Sequence, residues 1–127
     1  MHTLLIVDDE PAILSSLKRA LRLAHCTVLT AASGEEGLEL MRRQAVAVVM
    51  SDGLMVGMTG VQFLHHVEQE FPATVRIMLT GYTDPTVVAG AEANCHLFAL
   101  MTKPWDNDEL LDTLRRAFQH YEEARAA

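Results

Sequence analysis

Apolar residues in this chain follow two alternating patterns, short continuous runs and longer stripes at helical spacing. "TLLIV" (3–7) is the first run, apolar and partly β-branched like a strand buried on both faces, and it stops at Asp8. Pro11 suits the first turn of a helix, and Ile13, Leu14, Leu17, Ala20, Leu21 and Ala24 then recur on one stripe. "CTVLTA" (26–31) returns to strand character. "SGEE" reads as a capping box in which Ser33 bonds the Glu36 amide and Glu36 reaches back, so the spacing predicts a helix from about 34 to Arg43. "AVAVVMS" is a third strand, Gly57 and Gly60 punctuate the loop after it, and "VQFLHHVEQEF" reads as a helix that ends before Pro72.

The second half repeats the scheme. "VRIML" (75–79) is a fourth strand, "DPTVVAGAEAN" a short helix with Asp84 as cap and Pro85 in its first turn, and "HLFALM" (96–101) a fifth strand. "DNDE" offers a further cap, after which Leu110, Leu111, Leu114, Ala117, Phe118 and Tyr121 define the buried face of a last helix. Strands alternating with helices through short links predict an α/β fold, a parallel sheet with helices on both faces, because each parallel crossover is right-handed and needs a helix.

Composition narrows the classes. With 127 residues, half of them hydrophobic, the chain supports one domain with a real core. No repeat or low-complexity stretch interrupts it. The tail "EEARAA" is helix-forming and nearly free of apolar anchors, so the expected division is a domain over 1–121 and, over 122–127, a helical tail or the start of a linker to an output domain. The longest apolar runs are too short to cross a bilayer, and "LLIV" leads into "DDE" rather than a cleavage site, which predicts a cytoplasmic protein without membrane contact. Cys26 and Cys95 lack metal-site spacing and read as reduced, partly buried thiols. His65 and His66 are adjacent, about 100° apart on a helix, and do not chelate together. A net charge of -7 with scattered cations argues against direct nucleic-acid binding by this domain.

The polar residues gather where such a sheet binds ligands, beyond the carboxyl ends of its strands. Asp8 and Asp9 follow strand one, Asp52 ends strand three, Thr80 ends strand four, and Lys103 follows strand five in a chain whose other lysine is Lys18. Each has a structural alternative: Asp8 and Asp9 as helix caps, Asp52 as a turn cap, Thr80 as a strand-end hydroxyl, Lys103 as a solvated charge. Their joint placement argues for a site. Two carboxylates ~4 Å apart repel by about 4 kcal/mol at an effective dielectric near 20, so a cation belongs among them. Oxygen-only donors suit a hard, partly hydrated ion, Mg²⁺ being the usual choice. With Lys103 as a compact charge and Thr80 as a hydroxyl donor, the set makes a receptacle for a phosphoryl group.

"LLIVDDE", "SDGLMVGMTG", "LTGY" and "MTKPW", in this order and across essentially the whole chain, resemble the receiver domain of bacterial two-component response regulators. The resemblance implies a five-stranded (βα)5 flavodoxin-like sheet of order 2-1-3-4-5. It implies Asp52 as phosphoacceptor, Asp9, Asp52 and the Leu54 carbonyl as Mg²⁺ ligands, and Asp8 as a ligand through water. Thr80 would be the switch hydroxyl, Gly81 the small neighbour that leaves room for the phosphoryl group, and Lys103 the cation on its oxygens. The implied partners are a sensor histidine kinase or phosphotransfer protein and an output domain or partner, with a homodimer left open. Such a protein is a switch that promotes its own phosphorylation and dephosphorylation rather than a turnover enzyme. The Lys103–Pro104 bond is expected to be cis.

Two positions depart from the family pattern. Val56 stands where proline is usual, and Leu100 where an aromatic switch residue is usual; the report is expected from the loop at 81–85 and the following helix, and Phe98, which shares strand parity with Leu100, is the one strand-five aromatic that could take over. Other classes fit less well. A haloacid-dehalogenase-like Mg²⁺ hydrolase needs "DxD" where this chain has "DD", a degenerate receiver acting only as an interaction module is expected to have lost an acid, the threonine or the lysine, and a flavodoxin needs a phosphate loop where this chain has "DDEP".

Overall fold

The computed structural model describes residues 1–81 and 85–126, apart from the side chains at 86, 87, 92 and 94. Along it run β1 (Thr3–Val7), α1 (Pro11–Ala20), β2 (Thr27–Ala31), α2 (Gly34–Arg43), β3 (Val48–Ser51), α3 (Gly60–Glu70), β4 (Val75–Thr80), α4 (Pro85–Cys95), β5 (Ala99–Thr102) and α5 (Asn107–Ala126). All strand pairs are parallel, in the order β2-β1-β3-β4-β5. This is the expected 2-1-3-4-5 sheet, with strand order reversing between β1 and β3.

Successive strand residues point to opposite faces, so β1, β3 and β4 each feed two cores. Leu4, Ile6, Val48, Met50, Ile77 and Leu79 pack with Leu17 of α1 and with Leu110, Leu114 and Ala117 of α5. Leu5, Val7, Val49 and Met78 pack instead with Leu38 and Met41 of α2, Phe63, Leu64 and Val67 of α3, and Ala91 and Cys95 of α4. Helices on both faces explain why the strands read as unbroken apolar runs. Burial pushes the Cys95 thiol up to about 11, so it behaves as a small hydrophobe.

Several boundaries differ from those predicted. The α1 stripe continues to Ala24, but the helix stops at Ala20: Leu21 and Ala24 reach the same core from the following turn, which His25 leaves at φ 50. Ser33 accepts the Glu36 amide at 3.1 Å, the first half of the expected box, whereas a complete capping box forms unforeseen at Thr59 and Gln62. Asp84 lies outside the described residues. β5 starts at Ala99, so Phe98 precedes the strand and sets its ring 5.3 Å from that of His120 on α5. It sits at the opposite end of β5 from Thr102, the residue paired with Thr80, and so lies away from the Thr80 end of the sheet. Phe98 and Thr102 are four residue steps apart, about 13 Å along an extended chain.

α5 runs unbroken past Tyr121, and His2 fastens its far part, with Nε2 2.6 Å from Glu122 Oε1 and its ring stacked 5.1 Å from Phe118. Among the described residues no helix is long and apolar enough to cross a membrane.

Candidate functional site

Register brings the polar strand ends together. Val7 pairs with Ser51 and Ser51 with Met78, while Thr80 pairs with Thr102, so the residues that follow β1, β3 and β5 emerge side by side with the end of β4. The Asp52 N–H donates to the Val7 carbonyl at 2.9 Å, and the Lys103 N–H to the Thr80 carbonyl at 3.0 Å. Asp8, Asp52 and Thr80 are buried although polar, at 2%, 7% and 2% exposure. The Lys103–Pro104 bond is cis, as expected.

Lys103 holds the centre. Its Nζ donates to Asp8 Oδ2 at 2.7 Å and lies 3.5 Å from Asp52 Oδ2. Asp8 Oδ1 accepts the Glu10 N–H at 2.9 Å, and Asp9 Oδ2 accepts the Val56 N–H at 3.1 Å. The N-cap of α1 is Glu10, which makes no side-chain cap bond, so neither Asp8 nor Asp9 is the cap itself, although Asp8 holds the Glu10 amide. Carboxylate oxygens of Asp8, Asp9, Glu10 and Asp52 all lie within 4.8 Å of one another. Beside them a cleft of about 210 Å³ is lined by Glu10, Asp52, Leu54, Thr80, Gly81 and Lys103.

Burial pushes the Asp52 carboxyl above its ordinary range; the Lys103 charge opposes this, the Asp8 charge adds to it, and the Leu54 and Gly53 amides oppose it. For Lys103 burial favours the neutral amine, but the bond to Asp8 and the charges of Asp52, Asp8 and Glu10 outweigh it and raise the pKa. The lysine stays cationic at any physiological pH. A donor set of carboxylates alone, without His or Cys, fits a hard divalent ion such as Mg²⁺.

Asp8, Asp9, Asp52, Leu54, Thr80, Gly81 and Lys103 thus come together at one edge. Leu100 does not: it is 37% exposed on β5, paired with Met78, and is absent from the cleft lining. Three contributors were not picked out from the sequence. Glu10 could have been found, as the third acid of "DDE". The Val56 amide is a backbone donor without a side-chain signature. Gly60 read only as loop punctuation, yet a Cβ there would sit 1.8 Å from the Asp52 carbonyl oxygen.

A family model for the response regulator receiver domain matches residues 4–115. The chain belongs to this family. Receiver domains are signalling switches of two-component systems, which bind Mg²⁺ at an acidic pocket and are phosphorylated by histidine kinases. The receiver is 38% identical over 117 residues to the hydrogenase transcriptional regulatory protein HoxA of Cupriavidus necator, covering 92% of this chain and 24% of that protein. It is 34% identical over 118 residues to the DNA-binding transcriptional regulator NtrC of Escherichia coli, covering 93% of this chain and 25% of that one. The chain spans about a quarter of the length of these curated relatives. Among solved structures, the signal receiver domain of an HD domain-containing protein from Pseudomonas fluorescens superimposes with a TM-score of 0.96 at 32% identity, covering 98% of this chain and 92% of that one. Family membership sets aside the dehalogenase-like and flavodoxin-like alternatives.

Proposed function

We propose that Asp52 accepts a phosphoryl group from a phosphohistidine of a sensor histidine kinase or phosphotransfer protein, and that the acyl phosphate sets the signalling state of this receiver. The observation that carries this reading is the placement of Lys103 Nζ, 2.7 Å from Asp8 and 3.5 Å from Asp52, at the edge of a cleft that Thr80 and Gly81 also line. An Asp52 carboxylate oxygen attacks phosphorus in line; the P–N bond to the donor imidazole breaks as the P–O bond forms. The Lys103 ammonium and the Thr80 hydroxyl donate to the transferring oxygens, and Gly81 leaves them room. When held by Asp9, Asp52 and the Leu54 carbonyl, with Asp8 through water, Mg²⁺ would neutralise charge on those oxygens. Attack of water on the acyl phosphate releases inorganic phosphate and restores the Asp52 carboxylate.

Thr80, drawn toward the phosphoryl oxygens, biases the segment from Gly81 into α4, with Leu100 on the neighbouring strand as the other switch position. The domain's output then passes to a partner or a further domain; the names of HoxA and NtrC point to transcriptional control, which the acidic surface here would exert through another segment.

Incubation with acetyl phosphate and Mg²⁺ is the test. The expected product gains the mass of one phosphoryl group, loses it to hydroxylamine, and carries it on Asp52. No gain, or a gain mapped elsewhere, would overturn the reading. Mg²⁺ alone should raise the melting temperature by mass action, roughly 1.4 kcal/mol of stability at ten times its Kd, and Asp9→Ala should lose most of that gain. An unchanged melting curve at millimolar Mg²⁺ would count against the acid cluster as a cation site.

A further inference from the structure

Val56 is 85% exposed, so its side chain has little to pack against. Its backbone does more. The Val56 N–H donates to Asp9 Oδ2 at 3.1 Å and ties the loop after β3 to the loop after β1. Valine brings that donor to a position where proline, common in the family, has none.

The other buried acids are held from elsewhere. Asp8 has Lys103 Nζ on one oxygen and the Glu10 amide on the other, and Asp52 has Lys103 within 3.5 Å. Asp9 is half-buried and shares its cluster with three carboxylates that repel it toward solvent. A hydrogen bond from the facing loop opposes that drift. It also leaves lone pairs on both Asp9 oxygens for a cation, since a carboxylate offers about four acceptor sites. Partners that orient a ligating carboxylate reduce the ordering cost that binding would otherwise meet.

The geometry points to Val56 as a positioning residue: its main-chain N–H keeps the Asp9 carboxylate turned into the acid cluster, so affinity for the divalent cation depends on that donor. This rests on the cluster being the Mg²⁺ site proposed above. Loop and metal are coupled by the same bond, and cation binding should in turn order residues 53–59.

Val56→Ala trims the side chain and keeps the N–H, whereas Val56→Pro keeps three side-chain carbons and removes the N–H, so their contrast reads the donor together with proline's fixed φ. Mg²⁺ is titrated into each variant of the 127-residue chain and the wild type, followed by calorimetry and by the fluorescence of Trp105, the one tryptophan. Val56→Pro is expected to bind about 10-fold more weakly than Val56→Ala, the lower end of what loss of such an orienting partner costs. Melting without Mg²⁺ reports damage to the fold separately from the change in Kd. Equal affinity in the two variants, or tighter binding by Val56→Pro as competition between N–H and metal would give, overturns the inference while leaving the site intact. A wild type that takes up no Mg²⁺ overturns both. Should Val56→Pro not fold, amide hydrogen exchange at Val56 decides: the N–H should exchange at least about tenfold faster in Asp9→Ala than in wild type, the same range as the affinity change, and equal rates refute the bond.

Discussion

Asp52→Asn is expected to abolish phosphoryl labelling while raising the melting temperature of the metal-free receiver by a few degrees. Asparagine is neutral and no nucleophile at phosphorus, so labelling should fall to background. Stability should move the other way because the native site disfavours an ionised Asp52: burial lifts its pKa, and the pull of Lys103 does not cancel that. Between the ordinary carboxylate pKa and the raised one, the folded state holds more protons than the unfolded. Stability therefore falls as pH rises through that window, and the cost is present in full above it. Asparagine carries no such cost. The gain in Asp52→Asn should be complete above that window and shrink on acidification toward the ordinary carboxylate value. Saturating Mg²⁺ should narrow it by stabilising the wild type. Thermal melts of both proteins across pH, with and without Mg²⁺, check the sign; labelling that persists, or a lower melting temperature at neutral pH, would refute the assignment.

The fold was legible because the strands are largely apolar and all but β2 end in or lead straight into a polar residue, so the period and the punctuation agree. Asp8, Asp52 and Thr80 stood out as buried-looking acids and a hydroxyl at the ends of apolar runs, and all three are buried. Strand order was a different matter, since alternation is compatible with more than one order; the resemblance, and not the pattern, supplied 2-1-3-4-5. Where the reading slipped, tertiary structure had reused a local signal. Leu21 and Ala24 keep the helical stripe after α1 has ended, because a turn can deliver side chains to the same core. Phe98 keeps strand parity with Leu100 while lying ahead of β5 and packing toward α5. The Thr59–Gln62 box hid behind "MTGVQ", where glycine at the first helical position masked a cap. Backbone donors such as the Val56 N–H could not be read at all, since every residue but proline has one.

Gly60→Ala is expected to cost about 3 kcal/mol or more, a fall in melting temperature of roughly 10 °C, and to impair labelling of the protein that remains folded. The alanine Cβ would lie 1.8 Å from the Asp52 carbonyl oxygen and 2.7 Å from Gly53 Cα, contacts with main chain that no rotamer change relieves. Neither side can yield cheaply. The Gly60 N–H donates to the Gly53 carbonyl at 3.1 Å, and Asp52 is tied to Val7 at 2.9 Å. Behind Gly60, α3 is pinned by Phe63, Leu64 and Val67, all at 0% exposure. Room for a methyl group must therefore come from shifting the start of α3 or the Asp52 peptide, and the second displaces the acceptor from Lys103. Gly90→Ala supplies the contrast within the same protein. Among the described residues its Cβ would meet nothing nearer than Val61 Cγ1 at 4.0 Å, inside α4, so replacing that glycine should stabilise by about 0.5–1 kcal/mol. Melting and acetyl phosphate labelling of the two variants separate the effects. If Gly60→Ala melts and labels like Gly90→Ala, the close approach of α3 to the Asp52 peptide is not what positions the acceptor.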